Sequence, residues 1–257
     1  RLVGSEMCIR DRAPIASSVG AKTVDETREV LARYRDRGYW VHSVKVGGDV
    51  DQNIERIQDV ETHRPTKERI LYDANRGFTR QQALRVMQAT EQWKVMLEQP
   101  CETLDDIAAI RPLHSAPVSV DECLVTLQDA TRVARDGIAE VFGIKLNRVG
   151  GLTKASRIRD IALAHGIDIF VMATGGSVLA DTEALHLAAT IPDDNMLGVW
   201  ACQDMITAEL ADGAGPRAGR QARRGRGRRG GRGRADAGRD GGRHGSRGRG
   251  FLGPASR

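Results

Sequence analysis

The hydrophobic and polar positions of residues 13–210 follow two alternating patterns. Short runs with the every-other-residue pattern of a strand, such as Trp40–Val46, precede stretches with the period of an amphipathic helix, such as Asp51–Thr62. The first pattern predicts eight strands: Ala13–Ser18, Trp40–Val46, Arg69–Ala74, Val95–Gln99, Val118–Asp121, Glu140–Leu146, Asp168–Ala173 and Leu197–Cys202. The second predicts seven helices between them: Thr23 to about Arg37, Asp51–Thr62, Thr79–Thr90, Leu104–Ile110, Thr126–Asp136, Thr153–His165 and Ser177–Thr190.

Strands that alternate with helices build parallel βαβ units, so this order predicts an α/β protein with a parallel sheet. Eight strands in succession indicate a TIM-type (β/α)7β barrel, in which catalytic side chains lie at the carboxyl ends of the strands. A doubly wound open sheet is the alternative. That fold usually carries a glycine-rich phosphate-binding sequence after its first strand, and none follows Ala13–Ser18.

The charge is distributed unevenly along the chain. The net charge is +5, but residues 211–257 contain 14 Arg and 3 Asp, so residues 1–210 carry about −6. The same segment holds 15 of the 29 Gly and few of the apolar residues that a core requires. We therefore predict a weakly acidic folded domain over residues 13–210 and a disordered Arg/Gly-rich tail over residues 211–257.

Both ends of the chain have an unusual composition. An Arg/Gly-rich arm can bind nucleic-acid phosphates, but this tail has only Phe251 as an aromatic residue to stack on bases. GC-rich DNA translated in a shifted reading frame also yields Arg, Gly, Ala and Pro, and the abrupt change after Leu210 favours that interpretation. Residues 1–12 (RLVGSEMCIRDR) resemble the translation of a transposase recognition end used in sequencing libraries, so we interpret them as an adapter artefact.

Two further features limit the cellular setting. No stretch approaches the ~18 consecutive apolar residues of a membrane span. The cysteines show no C-x-x-C spacing, which indicates reduced thiols and a cytoplasmic protein. Cys101, Cys123 and Cys202 lie near strand ends without a His–Asp pair to activate them, so we interpret them as packing residues.

Polar residues recur at the ends of successive predicted strands. Lys45, Asp73, Glu98, Asp121 and Lys145 follow one another at spacings of 28, 25, 23 and 24 residues. Each spacing is about one βα unit, so the five side chains are expected at the same rim of the barrel. A single strand-end acid commonly caps the next helix, but five polar residues in phase indicate a common site.

The order of lysine, three acids and lysine suggests a specific chemistry. Three carboxylates from adjacent strands form an oxygen-rich site for a hard divalent cation, with Mg²⁺ as the first expectation and Mn²⁺ as the alternative. A cation that binds a substrate carboxylate stabilises the enediolate formed when the α-proton leaves. One lysine can remove that proton, and the second can deliver a proton to the opposite face or to a leaving group.

Five segments carry a resemblance to a known family. They resemble the mandelate racemase/muconate lactonizing branch of the enolase superfamily in order and spacing: VKVGG (Val44–Gly48), YDANRG (Tyr72–Gly77), LEQP (Leu97–Pro100), SVDE (Ser119–Glu122) and IKLNRVGG (Ile144–Gly151). The resemblance implies that Asp73, Glu98 and Asp121 are metal ligands and that Lys45 and Lys145 are the acid/base pair. It also implies that Asn75 lies near the metal or the substrate.

This sequence departs from the family pattern at one position. The family's usual Lys-x-Lys on the second strand is Ser43-Val44-Lys45 here, so the first lysine is absent. The position of the base is kept, and an auxiliary positive charge beside it is lost.

The resemblance extends to branch members that act on proline derivatives. Residues 174–192 and 199–205 carry it, and it implies Thr174, Trp200 and Asn75 as substrate-binding residues. Trp200 is expected to cover a cyclic ammonium by a cation–π contact, with packing at the barrel rim as the alternative. The implied reaction is the dehydration of cis-3-hydroxy-L-proline. Epimerisation of proline or proline-betaine derivatives uses the same two lysines and stays open.

Family members also carry an N-terminal α+β capping domain that closes the barrel, and this chain begins at the first barrel strand. We therefore expect a barrel that lacks the capping domain and is a poor or inactive enzyme as it stands. The intact parent is expected to bind a small carboxylate and to form a homo-oligomer. Nucleic-acid binding through the Arg/Gly tail is the alternative function from another class.

Overall fold

The computed structural model describes residues 12–173, 175, 177–201 and 221–223. All of them belong to the first of two compact units, Arg1–Arg226, and the second unit, Gly227–Arg257, lies outside the described residues. The adapter interpretation of residues 1–12 and the frame-shift interpretation of the tail therefore stay predictions.

Eight parallel strands form a closed barrel. They are β1 (Arg12–Val19), β2 (Val41–Lys45), β3 (Arg69–Asp73), β4 (Met96–Glu98), β5 (Val118–Val120), β6 (Val141–Lys145), β7 (Asp168–Met172) and β8 (Met196–Trp200). Each strand pairs in parallel with the next, and β1 pairs with both β2 and β8. The pairing of β1 with β8 closes the sheet, so the predicted (β/α)7β barrel is confirmed and the open-sheet alternative is wrong.

Helices connect the strands on the outside of the barrel. They are α1 (Val24–Asp36), α2 (Val50–His63), α3 (Arg80–Ala89), α4 (Leu104–Ile110), α5 (Leu127–Asp136), α6 (Leu146–Val149), α7 (Leu152–Ala164) and α8 (Val178–Ala188). Side chains of Thr23, Thr79 and Thr126 accept hydrogen bonds at the starts of α1, α3 and α5, where each forms a capping box. None of the helices in these described ranges is long and apolar enough to cross a membrane.

The seven predicted helices are present, with small differences at their ends. One α-helix among the described residues was not predicted: the single turn α6 begins at Leu146, directly after the end of β6. Gly150 and Gly151 then adopt positive φ angles of 86° and 94°, a backbone conformation that favours glycine, and lead the chain into α7.

Apolar side chains fill two layers. The larger cluster lies between the barrel and the helices and includes the fully buried Tyr72, Phe142 and Ile57. The smaller cluster fills the inside of the barrel and consists of Ala16, Val41, Leu71, Val141, Phe170, Met172 and Leu197. Because this interior is packed with side chains, a ligand site is left only at a mouth of the barrel.

A ninth short strand, β9 (Gln221–Arg223), pairs antiparallel with the first three residues of β1. It falls within the segment that the sequence analysis assigns to the Arg/Gly-rich tail. The remaining residues of 211–257 lie outside the part of the chain that the structure describes.

Candidate active site

The predicted site residues meet at the carboxyl ends of the strands. Lys45, Asp73, Glu98 and Lys145 are the last residues of β2, β3, β4 and β6, and Asp121 directly follows β5. The strand register aligns Lys45 with Asp73 and Asp73 with Glu98. The spacing of 23 to 28 residues therefore places these side chains at one rim, as the sequence predicted.

A cavity of about 180 Å³ lies at this rim. Nine residues line it: Ser18, Ser43, Lys45, Asp73, Glu98, Lys145, Phe170, Met172 and Trp200. In the strand order β2 and β6 are four positions apart, so Lys45 and Lys145 lie on opposite sides of the barrel. A molecule bound in the cavity can therefore be approached by one amine from each side.

Each lysine is paired with an acidic residue on its own side. Lys45 Nζ donates to Asp73 and, at 2.9 Å, to Asn75 Oδ1. Lys145 Nζ donates to Asp121, and the Arg148 guanidinium donates to the other oxygen of the same carboxylate. These ion pairs fix the two amines at the edge of the cavity and neutralise two of the three carboxylates.

Glu98 lies between the two pairs and has a different environment. Its side chain is only 1% exposed, and within the described residues its Oε1 atom has no hydrogen-bond partner. Burial, and then the negative charges of Asp73 and Asp121, raise the pKa of Glu98 well above its ordinary value. Burial also raises the pKa of Asp121, although Lys145 and Arg148 act in the opposite direction. A buried carboxylate of this kind requires a positive charge to stay ionised.

The donor set fits a hard divalent cation. Asp73, Glu98 and Asp121 offer only oxygen atoms, which Mg²⁺ prefers, and the unpartnered Glu98 oxygen lies at the centre of the set. Among the described residues, however, no three acidic, His or Cys side chains surround a common point as metal ligands do. Asp73 and Asp121 instead contact the two lysines, so both would turn toward an ion when it binds.

The structure adds Gln99, which the sequence analysis did not assign. Its side chain is 0% exposed, and its Oε1 accepts hydrogen bonds from the backbone N–H groups of Asp121 (3.0 Å) and Cys123 (3.2 Å). Its Nε2 donates to the Cys101 carbonyl at 3.0 Å. Gln99 has a φ of 41°, a left-handed conformation that is uncommon for a residue with a side chain. The only sequence signal was its place beside Glu98 in the LEQP segment.

Glu122 and Asn75 form a second contact that sequence reasoning missed. Asn75 Nδ2 donates to Glu122 Oε1 at 3.0 Å, so Asn75 bridges Lys45 on one side of the rim and Glu122 on the other. Asn75 also has a positive φ of 43°, and its backbone N–H donates to Asp73 at 2.9 Å. The predicted position of Asn75 beside the site is thus what the structure shows, whereas its role toward a substrate is untested.

The other proposed substrate-binding residues have different outcomes. Trp200 lines the cavity from the end of β8, beside Met172. Thr174 lies outside the described residues, so its role stays a prediction.

Two described cysteines near the rim are free thiols. Burial raises the pKa of Cys101 to about 11 and also raises that of Cys123. A raised pKa disfavours the thiolate, which is the nucleophilic form. This agrees with the interpretation of both residues as packing residues.

Comparisons with known proteins agree on one family. A family model described as "Enolase C-terminal domain-like" matches residues 26–223. Cis-3-hydroxy-L-proline dehydratase from Roseibium aggregatum is 31% identical over 193 residues, which cover 74% of this chain and 53% of that protein. The o-succinylbenzoate synthase of Geobacillus kaustophilus is 32% identical over 210 residues, which cover 76% of this chain and 54% of that protein. The chain thus spans about half the length of these curated relatives.

Solved structures show the same fold. A structure described as that of a mandelate racemase/muconate lactonizing enzyme from Silicibacter pomeroyi is 71% identical, with a TM-score of 0.81, and covers 83% of this chain and 59% of that chain. A member of the enolase superfamily from Roseovarius nubinhibens ISM, solved in complex with magnesium, is 34% identical with a TM-score of 0.79. That match covers 82% of this chain and 58% of the other.

Proposed function

Because the chain belongs to the enolase superfamily, we propose that it is an enzyme in which Lys45 and Lys145 move the α-proton of a small carboxylate substrate. One observation carries the proposal: two lysine amines lie on opposite sides of one cavity, with buried Glu98 between them. An amine on each side of the reacting carbon is the arrangement that removal and return of a proton require.

Asp73, Glu98 and Asp121 would hold a divalent cation, with Mg²⁺ as the expected ion. The magnesium complex of the Roseovarius relative supports this assignment. When bound, the ion supplies positive charge that stabilises the negative charge developing on the substrate carboxylate. Release of Asp73 and Asp121 from the lysines toward the ion would leave each amine free to accept or donate a proton.

The preferred reaction is the dehydration of cis-3-hydroxy-L-proline. One lysine accepts the α-proton, and the other donates a proton to the 3-hydroxyl group as the C–O bond breaks, so that water leaves and a carbon–carbon double bond forms. The name of the 31%-identical Roseibium relative supports this substrate. The cavity of about 180 Å³ suits a small ring, and Trp200 and Phe170 give it an apolar wall. Trp200 is assigned to the ring ammonium through a cation–π contact.

Epimerisation is the second candidate. In that reaction the second lysine returns a proton to the opposite face of the same carbon, which the placement of Lys45 and Lys145 across the barrel also supports. Relatives named L-Lys-D/L-Arg epimerase and L-Ala-D/L-Glu epimerase occur among the matches. The two outcomes differ in their products, because only dehydration releases water.

The acid/base assignment is tested by solvent exchange. The wild type in this and the following activity tests is the intact parent with its expected capping domain. In D2O with Mg²⁺, it should exchange the α-proton of cis-3-hydroxy-L-proline, as followed by ¹H NMR. Lys45→Ala and Lys145→Ala should each lower the rate of α-proton loss by about 100-fold or more, whereas Lys67→Ala, an exposed lysine outside the cavity, should not change it. Unchanged rates in both cavity variants would contradict the proposal. A double bond in the product indicates dehydration, and an inverted centre indicates epimerisation.

A further inference from the structure

Two hydroxyl groups in the wall of the cavity have no part in the proton transfer described above. Ser18 on β1 and Ser43 on β2 are direct partners in the parallel register of these strands. Both side chains line the cavity that also contains Lys45 and Lys145. They lie on the β1–β2 side of the cavity, whereas Phe170, Met172 and Trp200 come from β7 and β8.

The two serines are available to a ligand. Ser43 is only 6% exposed and Ser18 is half-buried, and neither hydroxyl makes a hydrogen bond to any other described residue. Each hydroxyl is open to the cavity rather than sealed in the protein interior, so it can bond to water or to a ligand there. Two adjacent hydroxyls that have no partner among the described residues can therefore both bond to one polar group of a ligand.

The chemistry of the cavity restricts which ligand group the serines can match. A substrate carboxylate is matched by the lysines and by the cation that the three carboxylates would hold, and a cationic ring nitrogen by the face of Trp200. A hydroxyl group both donates and accepts, and so does the serine side chain. The family pattern has a lysine at position 43, and its ammonium group can only donate hydrogen bonds. Ser43 can also accept a hydrogen bond, and it carries no positive charge.

We propose that Ser18 and Ser43 form a subsite that binds the hydroxyl group of a hydroxylated cyclic amino acid. This inference rests on the proposed function, because it concerns the substrate of the same cavity. It makes the hydroxyl group, rather than the ring alone, the feature by which the protein selects its substrate. A subsite that hydrogen-bonds a substrate hydroxyl discriminates against the analogue that lacks it, because the serines are then left unpaired.

The test compares two substrates in four proteins. The second-order rate constant for α-proton loss is measured in D2O with Mg²⁺ for cis-3-hydroxy-L-proline and for L-proline. The proteins are the wild type, Ser18→Ala, Ser43→Ala and the control Ser156→Ala, whose hydroxyl lies on α7 and donates to the Leu152 carbonyl. The wild type should prefer the hydroxylated substrate, and each cavity variant should lower the ratio of the two rate constants about tenfold. The control should keep the wild-type ratio.

The outcomes separate this inference from the proposed function. If the wild type removes the α-proton of neither substrate, the proposed function fails and the subsite fails with it. If the wild type is active but the serine variants keep the wild-type ratio, or lose both activities in proportion, the hydroxyl subsite is wrong while the proposed function stands. Each substitution removes a single oxygen atom, and thermal unfolding of the variants verifies that they are folded.

Discussion

Gln99 connects the ends of β4 and β5, the strands that bring Glu98 and Asp121 to the site. Its side-chain oxygen accepts two backbone N–H groups from the loop after β5, and its backbone N–H donates to the Ser119 carbonyl at 2.8 Å. The side chain is buried, so these bonds form without competition from water. Gln99 therefore fixes the position of Asp121 relative to Glu98 without itself facing the cavity.

Replacement of this amide should weaken metal binding. Gln99→Leu leaves the N–H groups of Asp121 and Cys123 unpaired and frees the loop that carries the third carboxylate. Loss of such an outer contact typically lowers metal affinity by about 10- to 100-fold, and isothermal titration with Mg²⁺ measures the change. Gln58→Leu is the matched control, because the Gln58 side chain on α2 makes a similar amide bond to the Ala89 carbonyl at the end of α3, away from the site. An unchanged Mg²⁺ affinity in Gln99→Leu would contradict this role.

At the scale of elements, a buried polar network joins β1, β2 and α1 to the start of β3. Ser17 Oγ and His42 Nδ1 are 2.7 Å apart, and His42 Nε2 lies 3.7 Å from Glu68. Arg35 makes two hydrogen bonds to the Glu68 carboxylate, at 2.7 and 3.0 Å. Burial acts to raise the pKa of Glu68, but the interactions with His42 and Arg35 outweigh it and lower the pKa to about 2.

This network should make folding stability depend on acid pH. Because the pKa of Glu68 is lower in the folded protein than the ordinary value of about 4.3, its stabilisation is present above about pH 4.3 and is lost as the pH falls toward 2. The contribution is on the order of 3 kcal/mol. The free energy of unfolding, measured with denaturant between pH 7 and pH 2, should fall by this amount in the wild type. It should fall equally in the control Glu55→Gln, which changes an exposed residue on α2, and less in Glu68→Gln. Equal pH dependence in all three proteins would contradict the assignment.

The strand-end pattern was informative because each βα unit has a similar length, so residues such as Asp73, Glu98 and Asp121 recur at one rim. The pattern of hydrophobic and polar positions within one βα unit does not show which side chains of different units contact each other. The pairing of Lys145 with Asp121 depends on rotamers across two strands, and the hydrogen bonds of Gln99 depend on a left-handed backbone. The single turn α6 also went unpredicted, because four residues are too few to show a helical period.

At the scale of the whole molecule, the closed barrel and the positive charge belong to different parts of the chain. The described barrel strands end at Trp200, and β9 ends at Arg223. The excess of arginine lies in residues 211–257, which give the chain its net charge of +5. The charged residues that line the cavity, Lys45, Asp73, Glu98 and Lys145, all belong to the barrel.

Removal of residues 224–257 should therefore leave the barrel intact. The truncated protein keeps β9 and all eight barrel strands, so its thermal unfolding midpoint and its Mg²⁺ affinity should equal those of the full chain. Any salt-sensitive binding of RNA or DNA by the full chain should disappear, since it would depend on the arginines of the tail. A large fall in the unfolding midpoint would show that the tail contributes to the folded domain.

In the proposed reaction, a metal-loaded site at the barrel rim moves an α-proton between its two lysines and the substrate. The most direct measurement is the rate at which the wild-type protein exchanges the α-proton of cis-3-hydroxy-L-proline for deuterium, with Mg²⁺ and then with excess EDTA. We expect exchange that requires Mg²⁺ and that Glu98→Gln abolishes, because this change removes the buried central carboxylate. Exchange at the same rate with EDTA, or in Glu98→Gln, would contradict it.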